Sequence, residues 1–425
     1  MKYYSTKNKT LRKSFREAVM EGLPADNGLY MPEFIPQLSK DYFDKIQGKS
    51  IHEIAFDVLR PFVGEDLDDA QLKGVIQKTF SFDFPVKKIE ENKYALELFH
   101  GPSYAFKDVG ATFLALCLEE FYKDKDEKCT ILVATSGDTG GAVAAAFSKV
   151  ENIEVVILYP SDKVSELQEK QLTTFDKNVK ALEIEGDFDD CQQLVKQAFL
   201  DGDLRRKLNI SSANSINVAR FLPQMVYYFT PFIKFGNAPL NFAVPSGNYG
   251  NLTAGLIAQK MGLHVKQFIA GANRNDVVPR FLSSGKYEPK ATIQTISNAM
   301  DVGNPSNFQR MMDLFSEDEI REKVKGFAFS DEATLEIMKK VFKENDYLLD
   351  PHGAVGYLAL TEFMKSSVGT GIVMETAHPC KFMDVVKNIT SDDIYPEGAK
   401  ELMQKEKKSV KMKVDYEVFK EFLVG

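Results

Sequence analysis

Cysteine is scarce in this 425-residue chain: Cys117, Cys129, Cys191 and Cys380 stand far apart, and none sits in a C-x-x-C pair. That argues against a disulfide scaffold and a zinc knuckle, and it suits a reducing cytosol. The five histidines (His52, His100, His264, His352, His378) include no pair at i, i+4 spacing, which argues against a metal site. No run of ~18 apolar residues is present, so no transmembrane helix is expected. The first residues, MKYYSTKNKTLRKSF, lack the apolar core of a secretory signal. Lysine and arginine form no block, and 53 basic against 61 acidic residues leaves a net charge of −8. Nucleic acid is therefore a poor partner. Neither a Walker motif nor G-x-G-x-x-G occurs, so an ATP P-loop and a Rossmann dinucleotide site lose support. What remains is a cytoplasmic α/β protein, in the class where enzymes predominate.

At 44% hydrophobic and 27% charged, the chain can bury sizeable cores. Its length is roughly three times that of a usual single domain. Residues 1 to about 92 read as mostly helical, with apolar residues at helical spacing in SFREAVMEGL and SIHEIAFDVLRPFVG. Nothing there carries chemistry, and the segment reads as a packing domain. From Tyr94 onward β-branched runs alternate with amphipathic stretches: YALELF, CTILVA, IEVVILYP, VKALEIEG, LNFAVP, VKQFIAG and GIVMETA are the strands. This is the pattern of βαβ units on a parallel sheet, whose ligands bind in the strand-to-helix loops.

Four such segments stand out. In HGPSYAFKDVGATF, Lys107 opens a helix, where the dipole disfavours a cation and a neutral, Schiff-base-forming amine is favoured. A lone lysine in a loop reads first as a solvated surface residue, and it is the apolar surface of Phe106 and Tyr104 beside it that weakens that reading. In ATSGDTGGA, Thr135, Ser136 and Thr139 offer hydroxyls and amides at a helix start, a site for a carboxylate or phosphate. Plain capping by Ser136 or Asp138 reads the same residues as well. In PSGNYGNLTAG, Gly247 and Gly250 let amides converge on a non-nucleotide phosphate, unless the loop is only a glycine turn. In ISSANSINVARFLPQ, Asn214, Ser215 and Arg220 make a fork for a dianionic phosphate, or a helix cap beside a surface ion pair.

A helix-start lysine, two small-residue anion loops and no metal cluster suggest pyridoxal phosphate (PLP). The segments FHGPSYAFKD, ATSGDTGGAV, SSANSINVARF, VPSGNYGNLTAG, NAMDVGNPSNF and ETAHPCKF together resemble the threonine synthase family, of the tryptophan-synthase-β fold group. KNKTLRKSFREAVMEGLPADNGLYMP resembles its accessory domain, so nearly the whole chain is covered. The resemblance implies PLP-dependent fold type II, with parallel sheets in a large and a small subdomain and a mostly helical N-terminal accessory domain. The implied boundaries are residues 1–92 for the accessory domain and 93–400 for the catalytic domain, with a smaller subdomain inserted at about 108–213. A C-terminal segment, 401–425, follows.

The implied activity is that of a carbon–oxygen lyase converting O-phospho-L-homoserine and water to L-threonine and phosphate. Lys107 would carry PLP and move protons; Gly247, Asn248, Tyr249, Gly250 and Asn251 would hold the cofactor phosphate; Thr376 would face the pyridine nitrogen. Thr135, Ser136 and Thr139 would bind the substrate carboxylate, and Asn214, Ser215 and Arg220 its phosphate. Asp138 stands where relatives commonly carry Asn beside the PLP hydroxyl. A carboxylate there repels a phenolate unless a proton is shared or the group turns away. Ser103, where Thr is also common, is a milder variation. His100 and His378 lie in the motif loops and read as structural histidines. A monomer or homodimer is expected, with no membrane or nucleic-acid partner, and no extension ahead of the accessory segment suggests allosteric control.

Three rivals share the motifs. A phospholyase would release 2-oxobutyrate from the same substrate. A serine/threonine dehydratase would need no phosphate grip at Asn214, Ser215 and Arg220. A silent amino-acid-binding protein would not need Lys107.

Overall fold

The computed structural model describes residues 1–425 apart from Asp124, Asp126 and Ser136. The N-terminal segment contains the expected helices, Phe15–Glu21, Lys40–Asp44, Ile51–Val63 and Asp69–Thr79. Ser14 with Glu17, Ser50 with Glu53, and Asp68 with Gln71 cap three of them reciprocally. Between and before them lies a small antiparallel sheet that helical periodicity did not announce. It consists of β1 (Tyr3–Ser5), β2 (Asn8–Lys13) and β3 (Tyr30–Pro32), in the order β2-β1-β3.

Eleven further strands build two larger sheets: β4 (Val86–Glu90), β5 (Lys93–Glu97), β6 (Cys129–Ala134), β7 (Ile153–Pro160), β8 (Val179–Ile184), β9 (Asn209–Ser212), β10 (Leu240–Pro245), β11 (Val265–Ala272), β12 (Val324–Ala328), β13 (Thr370–Glu375) and β14 (Val410–Met412). The large sheet runs β12-β11-β10-β13-β5-β4 and is parallel except where β4 returns on β5. The small sheet runs β14-β8-β7-β6-β9 and is parallel throughout. Every residue of β6 and of β10 is buried, as expected of strands covered by helices on both faces. Two sequence-based boundaries shift. The charged VKKIE, at the end of the 1–92 segment, is a strand of the large sheet. The C-terminal segment adds β14 to the small sheet, and its helix Tyr416–Val424 buries Phe419 in the same core as Leu194.

One apolar core extends from Tyr3 in the N-terminal segment to Met374 on β13. Phe15 packs against Phe113 and Phe121 at centroid distances of 6.4 and 6.1 Å, on the helix Lys107–Tyr122. The accessory segment thus braces the helix that begins with Lys107. Among the described residues, no helix is long and apolar enough to cross a membrane.

Gly110, on the first turn of that helix, lets it approach the main chain at Arg220. A Cβ there would collide with the Arg220 carbonyl oxygen. Helix propensity favours alanine over glycine by up to ~1 kcal/mol, but overpacking against backbone costs about 1–3 kcal/mol. Gly110→Ala is therefore expected to destabilise the fold, and the larger Gly110→Val more so, as read by urea unfolding. A stabilised Gly110→Ala would mean the two helices are not in fixed contact.

Candidate active site

The carboxyl ends of β5, β6, β9, β10 and β13 converge where the two parallel sheets face each other. Their loops enclose a cavity of about 520 Å³. Every site residue singled out from the sequence lines it except Ser136, which lies outside the described residues.

Lys107 is the first residue of its helix, and its side chain is 18% exposed. Burial pushes the ammonium below its ordinary pKa. Lys381 and Arg220 add repulsion, while Asp138, 3.8 Å from Nζ, opposes them. The loop before Lys107 is zipped to the end of β13. Phe106 N–H donates to the Thr376 carbonyl at 2.9 Å, His378 N–H donates to the Tyr104 carbonyl at 2.9 Å, and Ala105 bridges Ala377. Tyr227 O–H donates to the Phe106 carbonyl from the side. Two strand ends and a helix therefore fix the lysine. Thr376 is buried at the cavity wall.

The loop after β10 is an anion cradle. Tyr249 adopts a left-handed conformation (φ 60°) ahead of the helix Gly250–Lys260, which has no side-chain cap. Asn251 turns its amide inward, donating to the Pro245 carbonyl at 2.9 Å and accepting from Leu252 N–H. An anion would thus be met by the uncapped main-chain amides rather than by the Asn251 side chain. A Cβ at Gly247 would lie 2.7 Å from Met300 Cα, so only glycine permits the loop's close packing. This cradle fits the phosphate of PLP, and Lys107 on the opposite loop fits its aldehyde.

The second anion site is built from side chains. Arg220 is 3% exposed and has no carboxylate partner among the described residues. Its Nε has no hydrogen-bond partner and its Nη1 reaches only the Lys107 carbonyl, at 3.3 Å. Burial lowers its pKa to about 10, which leaves it charged. Ser215 Oγ accepts from Asn248 at 2.8 Å and from Asn307 at 3.1 Å, so its own O–H is free to donate elsewhere. Asn214 also reaches the wall, donating weakly to the Ala134 carbonyl at 3.3 Å.

At the small-sheet loop, Thr135 Oγ1 accepts from the Gly137 and Gly140 amides at 3.0 and 2.9 Å. The N-cap residue of the helix Asp138–Phe147, Gly137, offers no side-chain cap, and Gly140 on its first turn bonds to Thr135 rather than to Asp138. Gly137 holds φ 139°, and a Cβ there would meet Gln168 at 2.6 Å. Asn217, beside the phosphate fork, faces away from the cavity. It caps the helix Val218–Phe221 and donates to the Val19 carbonyl at 2.9 Å, tying the fork to the accessory segment.

Sequence reasoning passed over several residues. Lys381 is fully buried and pairs with Asp138 at 3.1 Å. Arg310, also fully buried, holds the Ser215 and Ile216 carbonyls at 2.8 and 2.6 Å from behind the fork. His352 lines the cavity with Nδ1 2.7 Å from Asp350 and Nε2 unpartnered. Glu375 is buried next to Asp350, and burial pushes its carboxyl far up. None of these had a local signal beyond standing inside or beside a motif. His378 is held neutral as a structural residue, burial lowering its pKa to about 4.

Family models agree with this architecture. "Pyridoxal-phosphate dependent enzyme" matches residues 85–374, "Threonine synthase N terminus" residues 2–80, and "Threonine synthase, C-terminal" residues 353–423. The threonine synthase of Haemophilus influenzae is 45% identical over 394 residues, covering 92% of this chain and 91% of that protein. The crystal structure of threonine synthase from Escherichia coli superposes with a TM-score of 0.93 at 40% identity, covering 100% of this chain and 99% of that one. The PLP-bound threonine synthase of Brucella melitensis gives 0.93 at 36% identity, with coverage of 100% and 99%. The chain belongs to the threonine synthase family of pyridoxal-phosphate-dependent enzymes.

Proposed function

We propose that this chain converts O-phospho-L-homoserine and water to L-threonine and phosphate, with Lys107 as its central acid and base. The observation that carries the reading is the pairing, in one cavity, of a depressed lysine with two separate anion sites, one of amides and one around Arg220. A PLP enzyme acting on an unphosphorylated amino acid needs only the first.

PLP, when bound, supplies an aldehyde that captures an amine and a ring that draws electrons from Cα. The residues do the rest. The uncapped amides at Tyr249–Asn251 would hold the cofactor phosphate, with Gly247 and Asn248 shaping the loop, and Thr376 would offer a neutral hydroxyl to the pyridine nitrogen. Thr135 and Thr139, with Ser136 in the same loop, take the substrate α-carboxylate at the start of the helix Asp138–Phe147. Arg220, Asn214 and Ser215 take the γ-phosphate.

Lys107, whose charged form burial disfavours, removes the proton at Cα. Loss of a second proton, from Cβ, supplies the electron pair that forms the Cβ–Cγ double bond as the Cγ–O bond breaks, and the guanidinium of Arg220 stabilises the negative charge that passes to the phosphate. Lys107 returns a proton at Cγ, and water adds across Cα and Cβ, its hydroxyl going to Cβ and a proton to Cα. The cavity wall keeps the reacting carbons beside one amine throughout.

Lys107→Ala is expected to abolish threonine formation and the visible absorption of bound cofactor while the far-UV circular dichroism stays native. Turnover near the wild-type level would remove Lys107 from the chemistry. Arg220→Ala is expected to lower kcat/KM for O-phospho-L-homoserine roughly ten- to a hundredfold, as lost charge-assisted hydrogen bonds do. Cofactor absorption is expected to persist, because the cofactor phosphate is held at the other site. Arg220→Lys should recover only part, having charge without the planar fork. Unchanged kcat/KM and unchanged inhibition by free phosphate would assign Arg220 to structure alone.

A further inference from the structure

Lys381 lies in the short helical turn Pro379–Phe382 that follows β13, with no exposed side-chain surface. Three oxygens surround its ammonium: Gln171 Oε1 at 2.6 Å, the Ser103 carbonyl at 2.7 Å and Asp138 Oδ1 at 3.1 Å. They come from a small-sheet helix, from the loop that carries Lys107, and from the start of another small-sheet helix. Asp138 Oδ1 also accepts from Gln168 Nε2 at 3.1 Å. The two carboxylate oxygens are therefore unlike. Oδ1 is held by Lys381 and Gln168, while Oδ2 faces the cavity, 3.8 Å from Lys107 Nζ.

In PLP the aldehyde and the ring hydroxyl sit on adjacent carbons. A group beside the nitrogen of the lysine that takes the aldehyde therefore neighbours that hydroxyl. Resting on the reading that Lys107 carries PLP, we propose that Lys381 is a positioning residue that neutralises Asp138 and turns its free oxygen toward the cofactor's ring hydroxyl. The carboxylate then serves as a hydrogen-bond acceptor instead of a repelling charge. Burial raises the Asp138 carboxyl, but Lys381, then Lys107, His352 and Gln168, hold it well below the ordinary range. Removing Lys381 deletes the largest of these opposing influences and leaves net negative charge against the hydroxyl. Arg220, Asp108, His352, His378 and the Cys380 thiol are the other titratable or charged groups near this corner, and none ion-pairs directly with Asp138 among the described residues.

The test is a charge-compensation cycle on the holoenzyme: wild type, Lys381→Met, Asp138→Asn and the double variant. Two quantities are read, the pH midpoint of the visible absorption change of bound cofactor and the PLP concentration needed for half-saturation. Lys381→Met is expected to move the midpoint up by about one pH unit or more, as an uncompensated neighbouring carboxylate does. It should also weaken PLP binding at least tenfold. Asp138→Asn is expected to move the midpoint down, and the double variant to return both quantities toward wild type.

Equal defects in Lys381→Met and in the double variant would overturn the proposal, making Lys381 only a clamp on the Ser103 and Gln171 segments. If Lys381→Met does not fold, recovery of a folded double variant supports the compensation, and failure of both overturns it. Wild-type protein that shows no cofactor absorption with added PLP would instead refute the reading on which the proposal rests.

Discussion

Burying an ammonium or guanidinium away from a counter-ion costs several kcal/mol, and the wall of this cavity does so repeatedly. Among the described residues, Lys107 and Lys381 share one carboxylate, Asp138, and Arg220 has none. Arg310, behind the fork, is satisfied only by carbonyls and by Asn307. Asp108, beside the cavity, and Asp301, in its wall, are both raised to about 6 by burial, so each offers little compensating charge once pH falls through that value. A pocket whose buried Arg220 and uncapped amides lack an anionic partner is stable because dense packing holds it, and it gains most from anionic occupants. A cofactor phosphate, a substrate carboxylate and a substrate phosphate are occupants of that kind.

The fold supplies that packing. Two parallel sheets aim their carboxyl ends at one another, so five loops from distant parts of the chain meet without long excursions. The small sheet brings Thr135, Asp138 and Gln168; the large sheet brings the cradle after β10 and Thr376 after β13. Lys381 is where the two halves touch through charge, because its ammonium contacts both. The accessory segment reaches the site only indirectly, through Phe15 on the Lys107 helix, Val19 on Asn217 and Tyr30 near Arg310.

Much of this was legible in the sequence, and physics explains which part. Strands buried on both faces read as continuous apolar runs, so CTILVA and LNFAVP announced themselves. Anion loops are local, a few small residues before a helix, and PSGNYG and ATSGDTG could be read in one glance. What stayed hidden was non-local. VKKIE is a charged edge strand with one face in water, and β14 pairs with β8 across more than two hundred residues. That Asn217 caps its helix and turns away from the cavity was not legible, because spacing alone does not reveal which way an amide turns. Lys381 and Arg310 carried no signal, since a buried cation is written with the same letter as a solvated one. The anomaly of Asp138 was visible, but its resolution lay 243 positions away at Lys381.

The account stands or falls on the fate of Cβ. Holoenzyme incubated with O-phospho-L-homoserine should release phosphate and L-threonine in equal amounts, measured together by phosphate assay and amino-acid chromatography. Phosphate accompanied by 2-oxobutyrate and ammonia, with no threonine, would contradict it and make this chain a phospholyase on the same scaffold.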